Sequence, residues 1–460
     1  MRWSMTEHVD IPSRVHIVGA GGAGMSGLAK ILSQLGHSVT GSDVKPGRMF
    51  DALNDVGITT WLGHRPEKMK GVQLVVASSA VPPSDPEIAE AKILGIEVWE
   101  RPRLLAALTR LMPTVGFAGT HGKTTSTALA VRALRGSGLD PSFLVGGEML
   151  GLNTGAHVGG HDLFVLEADE AFGTFRHLAL NGVLVTNIEA DHLDFYGTVA
   201  ALEESFAQVV GRVTGPRVGC IDDHGVARLA QAVPLVTYGF SPSAVWRVVD
   251  HRHTESGQQF RILRGRDSVD VSLPKPGAHL ALNATGVLVL LSELGYDMTA
   301  AANALRGFVG VARRYEVRGR VRGITIVDDY AHHPTEVAAT IAAAALGAEG
   351  RVIAVFQPHR FSRTADLGPQ FGSPLALADH TIVTDVYPAG EVPIIGVSGR
   401  IILEATRAAG GAVTYAPDMD DIPKLVADIA REGDIVLVMG AGDITSVTVP
   451  IAAALESAAE

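Results

Sequence analysis

Residues 113–118 read as a buried strand and the residues after Lys123 as a helix, with Gly119-Thr120-His121-Gly122-Lys123-Thr124-Thr125 between them. A glycine-bearing turn that ends a strand and opens a helix gathers backbone amides around one point. Here it adds the cation of Lys123 and the hydroxyl of Thr124, which suits the phosphates of a nucleoside triphosphate with magnesium. The surrounding chain is thereby drawn toward an α/β architecture. The spacing departs from the standard phosphate-loop pattern, because two residues separate Gly119 from Gly122 and Phe117 stands where the first glycine is expected. We read a shortened phosphate loop, although an ordinary glycine-rich turn would carry the same local sequence.

The chain opens with the same arrangement. A β-prone run at 15–18 precedes Gly19-Ala20-Gly21-Gly22-Ala23-Gly24, helical spacing covers 25–35, and a second strand at 37–42 ends at Asp43. This is the start of a nucleotide-binding βαβ unit with an acid placed to meet a ribose hydroxyl, though Gly21-Gly22 shifts the usual cadence. Ser78 and Ser79 follow a strand candidate at 75–77, as sugar or phosphate contacts or as plain surface hydroxyls. In the middle of the chain, strand candidates at 163–166 and 183–186 run into Glu167-Ala168-Asp169-Glu170 and into an acidic stretch at 187–194. Acids after strand ends converge on the ligand crevice of an α/β sheet. Glu170 is read as a magnesium carboxylate opposite Thr124, and His192 as a further metal or phosphate contact. Short β-prone pieces at 235–272 and a helical pattern at 280–294 follow. Strand candidates at 324–327, 352–356, 381–384 and 435–439, separated by alanine-rich helical stretches, argue for a further doubly wound domain.

A chain of 460 residues with 47% hydrophobic content suggests about three domains. Its 38 basic against 49 acidic residues argue against nonspecific binding to nucleic acid or to an anionic membrane. Cys220 is the only cysteine, which excludes an intrachain disulfide and a thiolate-rich metal site. Neither a signal-peptide pattern nor an apolar run long enough for insertion is present, so a cytoplasmic protein is expected.

Several motifs recur in a fixed order: VHIVGAGGAGMSGLAKIL at 15–32, AGTHGKTT at 118–125, EADE at 167–170 and TNIEADHLD at 186–194, then HLALN at 279–283, ARRYE at 312–316, DDYAHHPTE at 328–336, FQPHRFSRT at 356–364 and VMGAGDI at 438–444. Together they resemble the Mur ligase family, most closely its alanine-adding branch. The resemblance implies an α/β protein of three domains: a Rossmann-like UDP-sugar domain at 1–112, a P-loop ATP-binding domain at 113–321, and an α/β substrate-binding and closure domain at 322–460. It implies ATP-dependent joining of L-alanine to UDP-N-acetylmuramic acid through an acyl phosphate. A monomer is the working expectation, with a weak homodimer as the alternative. Carried over residue by residue, Gly19, Gly21, Gly22, Gly24, Met25, Ser26, Asp43, Ser78 and Ser79 fall to the UDP-sugar. Gly119, Thr120, His121, Gly122, Lys123, Thr124, Thr125, Asn283 and Arg314 fall to ATP, and Thr124, Glu170 and His192 to magnesium. His332, His333 and Arg360 fall to the substrate, and Lys123, Glu170, His192, Arg314 and His333 carry the catalytic roles. The chain departs from the branch at Ala171-Phe172, where a serine-aspartate pair is usual, and 202–210 holds no lysine for carbamylation. A peptide-recycling ligase of the same family and an inactive UDP-sugar-binding protein are the competing readings.

Overall fold

The computed structural model describes residues 10–457. Its strands form three sheets. The first contains β1 (Arg14–Val18), β2 (Ser38–Asp43), β3 (Thr59–Leu62), β4 (Leu74–Ala77) and β5 (Glu97–Glu100), all parallel, in the order β3-β2-β1-β4-β5. Strands covered on both faces need nearly continuous apolar runs, and β4 is buried at every residue. The chain winds outward from β1 through β2 to β3 and then returns to β4 on the other side. That reversal leaves a crevice beyond the carboxyl ends of β1 and β4, where Gly19 and Ser78 meet. Gly19 has φ +79°, and a Cβ there would lie 3.0 Å from the Ser78 Cβ.

A buried polar cluster ties this sheet together. His16 of β1 is fully buried and stacks on Trp61 of β3 at 4.9 Å between ring centres. The fully buried Glu87 accepts hydrogen bonds from Trp61 Nε1 (2.7 Å), the Arg65 amide (2.9 Å) and the Ser42 hydroxyl, and lies 3.4 Å from His16 Nε2. Burial pushes its carboxyl up, but these bonds outweigh burial and bring it to about 2.

The second sheet holds β6 (Thr114–Ala118), β7 (Pro141–Met149), β8 (Thr154–His157), β9 (His161–Glu167), β10 (Gly182–Val185), β11 (Arg217–Cys220), β12 (Val236–Gly239), β13 (Trp246–Thr254), β14 (Gly257–Arg264) and β15 (Asp267–Leu273). Their order is β15-β14-β13-β12-β11-β10-β6-β9-β7-β8. β6 therefore lies between β9 and β10, and the segments that leave those two strands flank whatever follows β6. The helix Ala23–Gln34 joins the first two sheets in one core. Its Leu28 and Leu32 are fully buried in a cluster with Leu144, Ala156, Phe164 and Leu166, each worth about 2 kcal/mol of burial. Gly27 permits the approach, since a Cβ there would sit 2.6 Å from the Leu144 Cδ1.

The third sheet holds β16 (Glu316–Val321), β17 (Ile324–Asp329), β18 (Val352–Phe356), β19 (His380–Val383), β20 (Val413–Tyr415) and β21 (Ile435–Met439), in the order β16-β17-β21-β18-β19-β20. Only β16 is antiparallel. It was not read as a strand from sequence, and it exists because Arg322 and Gly323 take φ +52° and +75° and close a two-residue hairpin onto β17.

The chain divides into two compact units. One contains the described residues up to Asp250 with Phe260–Ser272 and Leu282–Phe308; the other contains His251–Gln259, Leu273–Ala281 and the described residues from Val309. Among the described residues no helix is long and apolar enough to cross a membrane.

Candidate active site

The loop after β6 is held by the segment after β10. The Thr186 hydroxyl donates to the His121 carbonyl (2.5 Å) and to the Ala118 carbonyl (3.2 Å). The Asn187 amide group donates to the His121 carbonyl (3.2 Å) and accepts from the His121 N–H (2.7 Å). The Thr120 amide donates to the Asn187 carbonyl (3.1 Å), and the Thr120 hydroxyl accepts from the Glu189 amide (2.9 Å). Gly119, at φ +128°, has no room for a side chain: a Cβ would fall on the Thr186 hydroxyl and 2.8 Å from the Asn187 carbonyl oxygen. Gly122 is left-handed at φ +82° and caps the helix Lys123–Gly136, with the Asn283 Oδ1 2.9 Å from where its Cβ would be. The structure thus brings Asn283 to the loop; Thr125 lies in the first turn of the helix that follows.

Lys123 turns back into the loop. Its Nζ donates to the Gly119 carbonyl (2.7 Å) and to both Glu170 oxygens (2.9 and 2.8 Å), and lies 3.4 Å from Asp169. Burial would lower the lysine pKa, but Glu170 and Asp169 raise it above its ordinary value, so the ammonium persists. Glu170 is 1% exposed, and the Tyr196 hydroxyl fixes its carbonyl at 2.6 Å. The Thr124 hydroxyl hydrogen-bonds Glu167, while Glu170, read from sequence as the magnesium carboxylate opposite Thr124, faces Lys123. The carboxylate at the end of β9 reaches the start of the helix, whereas Glu170 has turned toward the lysine. Glu167 also accepts from the Gly146 amide (2.5 Å), and burial raises its pKa. Asp169 is pushed up by burial but held below its ordinary value by Lys123, Arg101 and His192, which places His192 within electrostatic reach of the loop acids. His192 is left-handed at φ +55°, and its amide donates to Asp191 (2.8 Å).

At the first glycine turn, the Gly19 and Ala20 amides both donate to the Ser42 carbonyl (2.9 Å each). Asp43 accepts from the Gly21 amide (2.8 Å) and the Lys45 amide (3.0 Å), so it braces the turn. Gly22 caps the helix Ala23–Gln34 without a side-chain partner. The Ser26 hydroxyl points at the Met49 sulfur (4.0 Å), and Ser79 is exposed. Met25 is 2% exposed, with its side chain packed in the core shared by the first two sheets.

In the second unit, the Arg314 guanidinium lies over the Tyr330 ring at 4.9 Å. His332 Nδ1 faces the Tyr330 carbonyl (2.9 Å) and Glu336 (3.3 Å). His333 is 6% exposed and caps the helix Pro334–Gly347 through the Thr335 amide (3.4 Å). The Arg360 Nε donates to Glu391 (2.6 Å). Asp329 accepts from the Tyr315 and Ala331 amides (2.7 Å each), and burial pushes its carboxyl up to about 6.

Comparison with known proteins places these features. The profile described as "Mur ligase family, catalytic domain" matches residues 14–112, "Mur ligase middle domain" matches 117–291, and "Mur ligase, glutamate ligase domain" matches 313–442. The chain belongs to the Mur ligase family. It is 41% identical over 457 residues to a protein named UDP-N-acetylmuramate–L-alanine ligase from Cutibacterium acnes, covering 97% of this chain and 96% of that one. A crystal structure of the UDP-N-acetylmuramate-alanine ligase of Thermotoga maritima superposes with TM-score 0.83 at 26% identity, covering 96% and 99% of the two chains. A murein peptide ligase from Psychrobacter arcticus superposes with TM-score 0.70 at 26% identity, covering 97% and 99%.

Each matched segment of this Mur ligase contains most or all of one sheet. Sequence reasoning passed over Glu167 as the partner of Thr124, and over Thr186 and Tyr196 as supports. The position of Glu167 at the end of a buried run, beside the loop strand, was the available signal. At the departure from the family pattern, Phe172 is left-handed at φ +52°, 61% exposed, and meets Phe195 edge-on at 6.2 Å.

Proposed function

We propose that this Mur ligase joins L-alanine to UDP-N-acetylmuramic acid, converting ATP to ADP and phosphate and giving UDP-N-acetylmuramoyl-L-alanine for peptidoglycan synthesis. The observation that carries the reading is 41% identity across nearly all of both chains with the Cutibacterium acnes protein of that name. In this reading residues 1–112 hold the UDP-sugar, 113–321 hold ATP and metal, and 322–460 close over the amino acid. The enzyme acts as a cytoplasmic monomer, without nucleic acid or membrane insertion.

A carboxylate resists attack by an amine because an oxide would have to leave. Transfer of the ATP γ-phosphoryl group to that carboxylate gives an acyl phosphate; the free amine of alanine then adds to its carbonyl, phosphate departs, and the amine proton passes to solvent. Lys123 leaves Glu170 for the phosphate oxygens and stabilises charge on the transferring group. Asn283 and the backbone of 119–122 orient the nucleotide. Arg314, His332, His333 and Arg360 serve the substrate and closure. The paired oxygens of Thr124 and Glu167 fit a magnesium ion, since both are hard donors and the buried carboxylate gains from a cation. His192 and the acidic loop complete that neighbourhood. When bound, magnesium neutralises phosphate charge.

The likeness to a murein peptide ligase keeps a recycled peptide as the second reading of the acceptor. Phosphate release is to be measured with UDP-N-acetylmuramic acid, ATP and magnesium, adding either L-alanine or L-alanyl-γ-D-glutamyl-meso-diaminopimelate. L-Alanine is expected to be the better acceptor. Preference for the tripeptide transfers the assignment to recycling, and UDP-sugar binding without turnover transfers it to a binding protein.

A further inference from the structure

Arg101 opens the helix Arg101–Leu108. Its guanidinium faces the first turn of the helix Ala23–Gln34, for a Cβ built on Gly24 would fall 3.0 Å from Nε, 3.2 Å from Cζ and 3.2 Å from Nη2. Nε is buried without a hydrogen-bond partner, and the guanidinium acts on Asp169 through charge, helping to hold that carboxyl below its ordinary value. Two residues on, Arg103 shows the ordinary fate of such a side chain, paired with Glu97 at 2.7 Å and laid over the Trp99 ring at 4.5 Å. A buried donor left unpaired is costly, so Nε, which the charge of Asp169 reaches without a hydrogen bond, points to an acceptor that the chain itself does not supply.

The surroundings say what kind of partner. On one side lies the uncapped start of the helix Ala23–Gln34, with no acidic residue in its first turn. On the other side the helix Arg101–Leu108 packs on the segment Ala171–His177, which follows Asp169 and Glu170. A helix start with open amides attracts phosphate, and an arginine fork matches two oxygens of one phosphate. The side chain is therefore placed beside the glycine turn, where the guanidinium and the open helix start can hold an oxyanion between them.

We propose that Arg101 is a substrate-binding residue whose guanidinium takes a phosphate oxygen of the UDP diphosphate, while the start of the helix Ala23–Gln34 takes a neighbouring one. The proposal rests on the reading that residues 1–112 hold the UDP-sugar. A side chain at position 24 would press on the guanidinium, which would have to shift by a few tenths of an ångström. The lactyl carboxylate of the same substrate is the other oxyanion of suitable chemistry, and the choice of ligands separates the two.

Arg101→Gln and Arg101→Lys proteins, and Gly24→Ala as an independent way of moving the guanidinium, are titrated calorimetrically with UDP, UDP-N-acetylglucosamine and UDP-N-acetylmuramic acid. Arg101→Gln and Gly24→Ala are expected to weaken all three at least tenfold, raising the KM for UDP-N-acetylmuramic acid to match while the KM for ATP stays within twofold. Arg101→Lys should recover part of the loss, because charge returns without the fork. Weakening of UDP-N-acetylmuramic acid alone overturns the diphosphate assignment in favour of the carboxylate. Unchanged affinity for every ligand in Arg101→Gln overturns the proposal. Wild-type protein that binds none of the three overturns the UDP-sugar reading, and the proposal with it.

Discussion

Replacing Lys123 by methionine tests stability and chemistry together. The ammonium is 13% exposed on its side chain and Glu170 1% exposed, with two hydrogen bonds of 2.8 and 2.9 Å between them and Asp169 at 3.4 Å. Breaking one partner out of a buried ion pair costs about 3–5 kcal/mol, because the remaining charge stays buried. Burial already pushes the Glu170 carboxyl upward, so it can take a proton when the lysine is gone, and the lower end, about 3 kcal/mol, is expected. Adding Glu170→Gln removes the orphaned charge. The double variant should therefore recover about 2 kcal/mol relative to Lys123→Met, a coupling well outside ordinary additivity. Neither variant should turn over, since neither supplies a cation to the transferring phosphoryl group. Urea unfolding gives the stabilities, hydrogen exchange over β6 and the helix Lys123–Gly136 localises the loss, and phosphate release gives the chemistry. Lys123→Met within about 0.5 kcal/mol of wild type, with no coupling to Glu170→Gln, would refute the buried-pair argument. Normal turnover by pure Lys123→Met protein would refute the phosphate-loop assignment.

Other expectations follow from the same geometry. Glu87 has a folded pKa of about 2 against an ordinary 4.5, so its contribution to stability is full above 4.5 and is lost as pH falls toward 2, at about 1.4 kcal/mol per pH unit. Urea midpoints at pH 5, 4 and 3 should show that slope in wild type and lose it in Glu87→Gln; equal slopes exclude Glu87 as its source. Gly119→Ala forces a strained φ and a clash with the segment after β10, which should raise the KM for ATP more than tenfold and leave UDP affinity unchanged. An ATP saturation curve identical to wild type would mean that the loop yields freely. Glu167→Gln should raise the magnesium concentration for half-maximal turnover about tenfold, and more than Glu170→Gln does. The reverse order would return the metal carboxylate to Glu170.

The sequence carried the architecture well because its signals were local. Strands read at 352–356 and 435–439 stand at Val352–Phe356 and Ile435–Met439, and most others fall within one or two residues, since continuous apolar runs bounded by polar residues or glycine leave little choice. β16 was missed because Glu316–Val321 is half polar and its pairing depends on a turn whose φ values no composition reveals. The turn between β6 and the helix Lys123–Gly136 was legible as a motif, whereas its partners were not. Which of Glu167 and Glu170 meets Thr124, and that Lys123 is already engaged, depend on side-chain directions at the end of β9. Met25 follows the glycine turn in the first turn of the helix Ala23–Gln34, and that its side chain enters a core that two sheets share depends on packing that no local signal reveals.

The hydrogen bonds from Thr186, Asn187 and Glu189 to residues 118–121 have a thermodynamic consequence. A glycine loop free in solvent would sample many shapes and give up that freedom on each encounter with a ligand, at about 1–2 kcal/mol of entropy for every residue fixed. Here the ordering took place when the protein folded. On the proposed reading, the arriving triphosphate meets a loop of settled form, and its affinity depends on the exchange of charge at Lys123 far more than on the taming of a flexible chain.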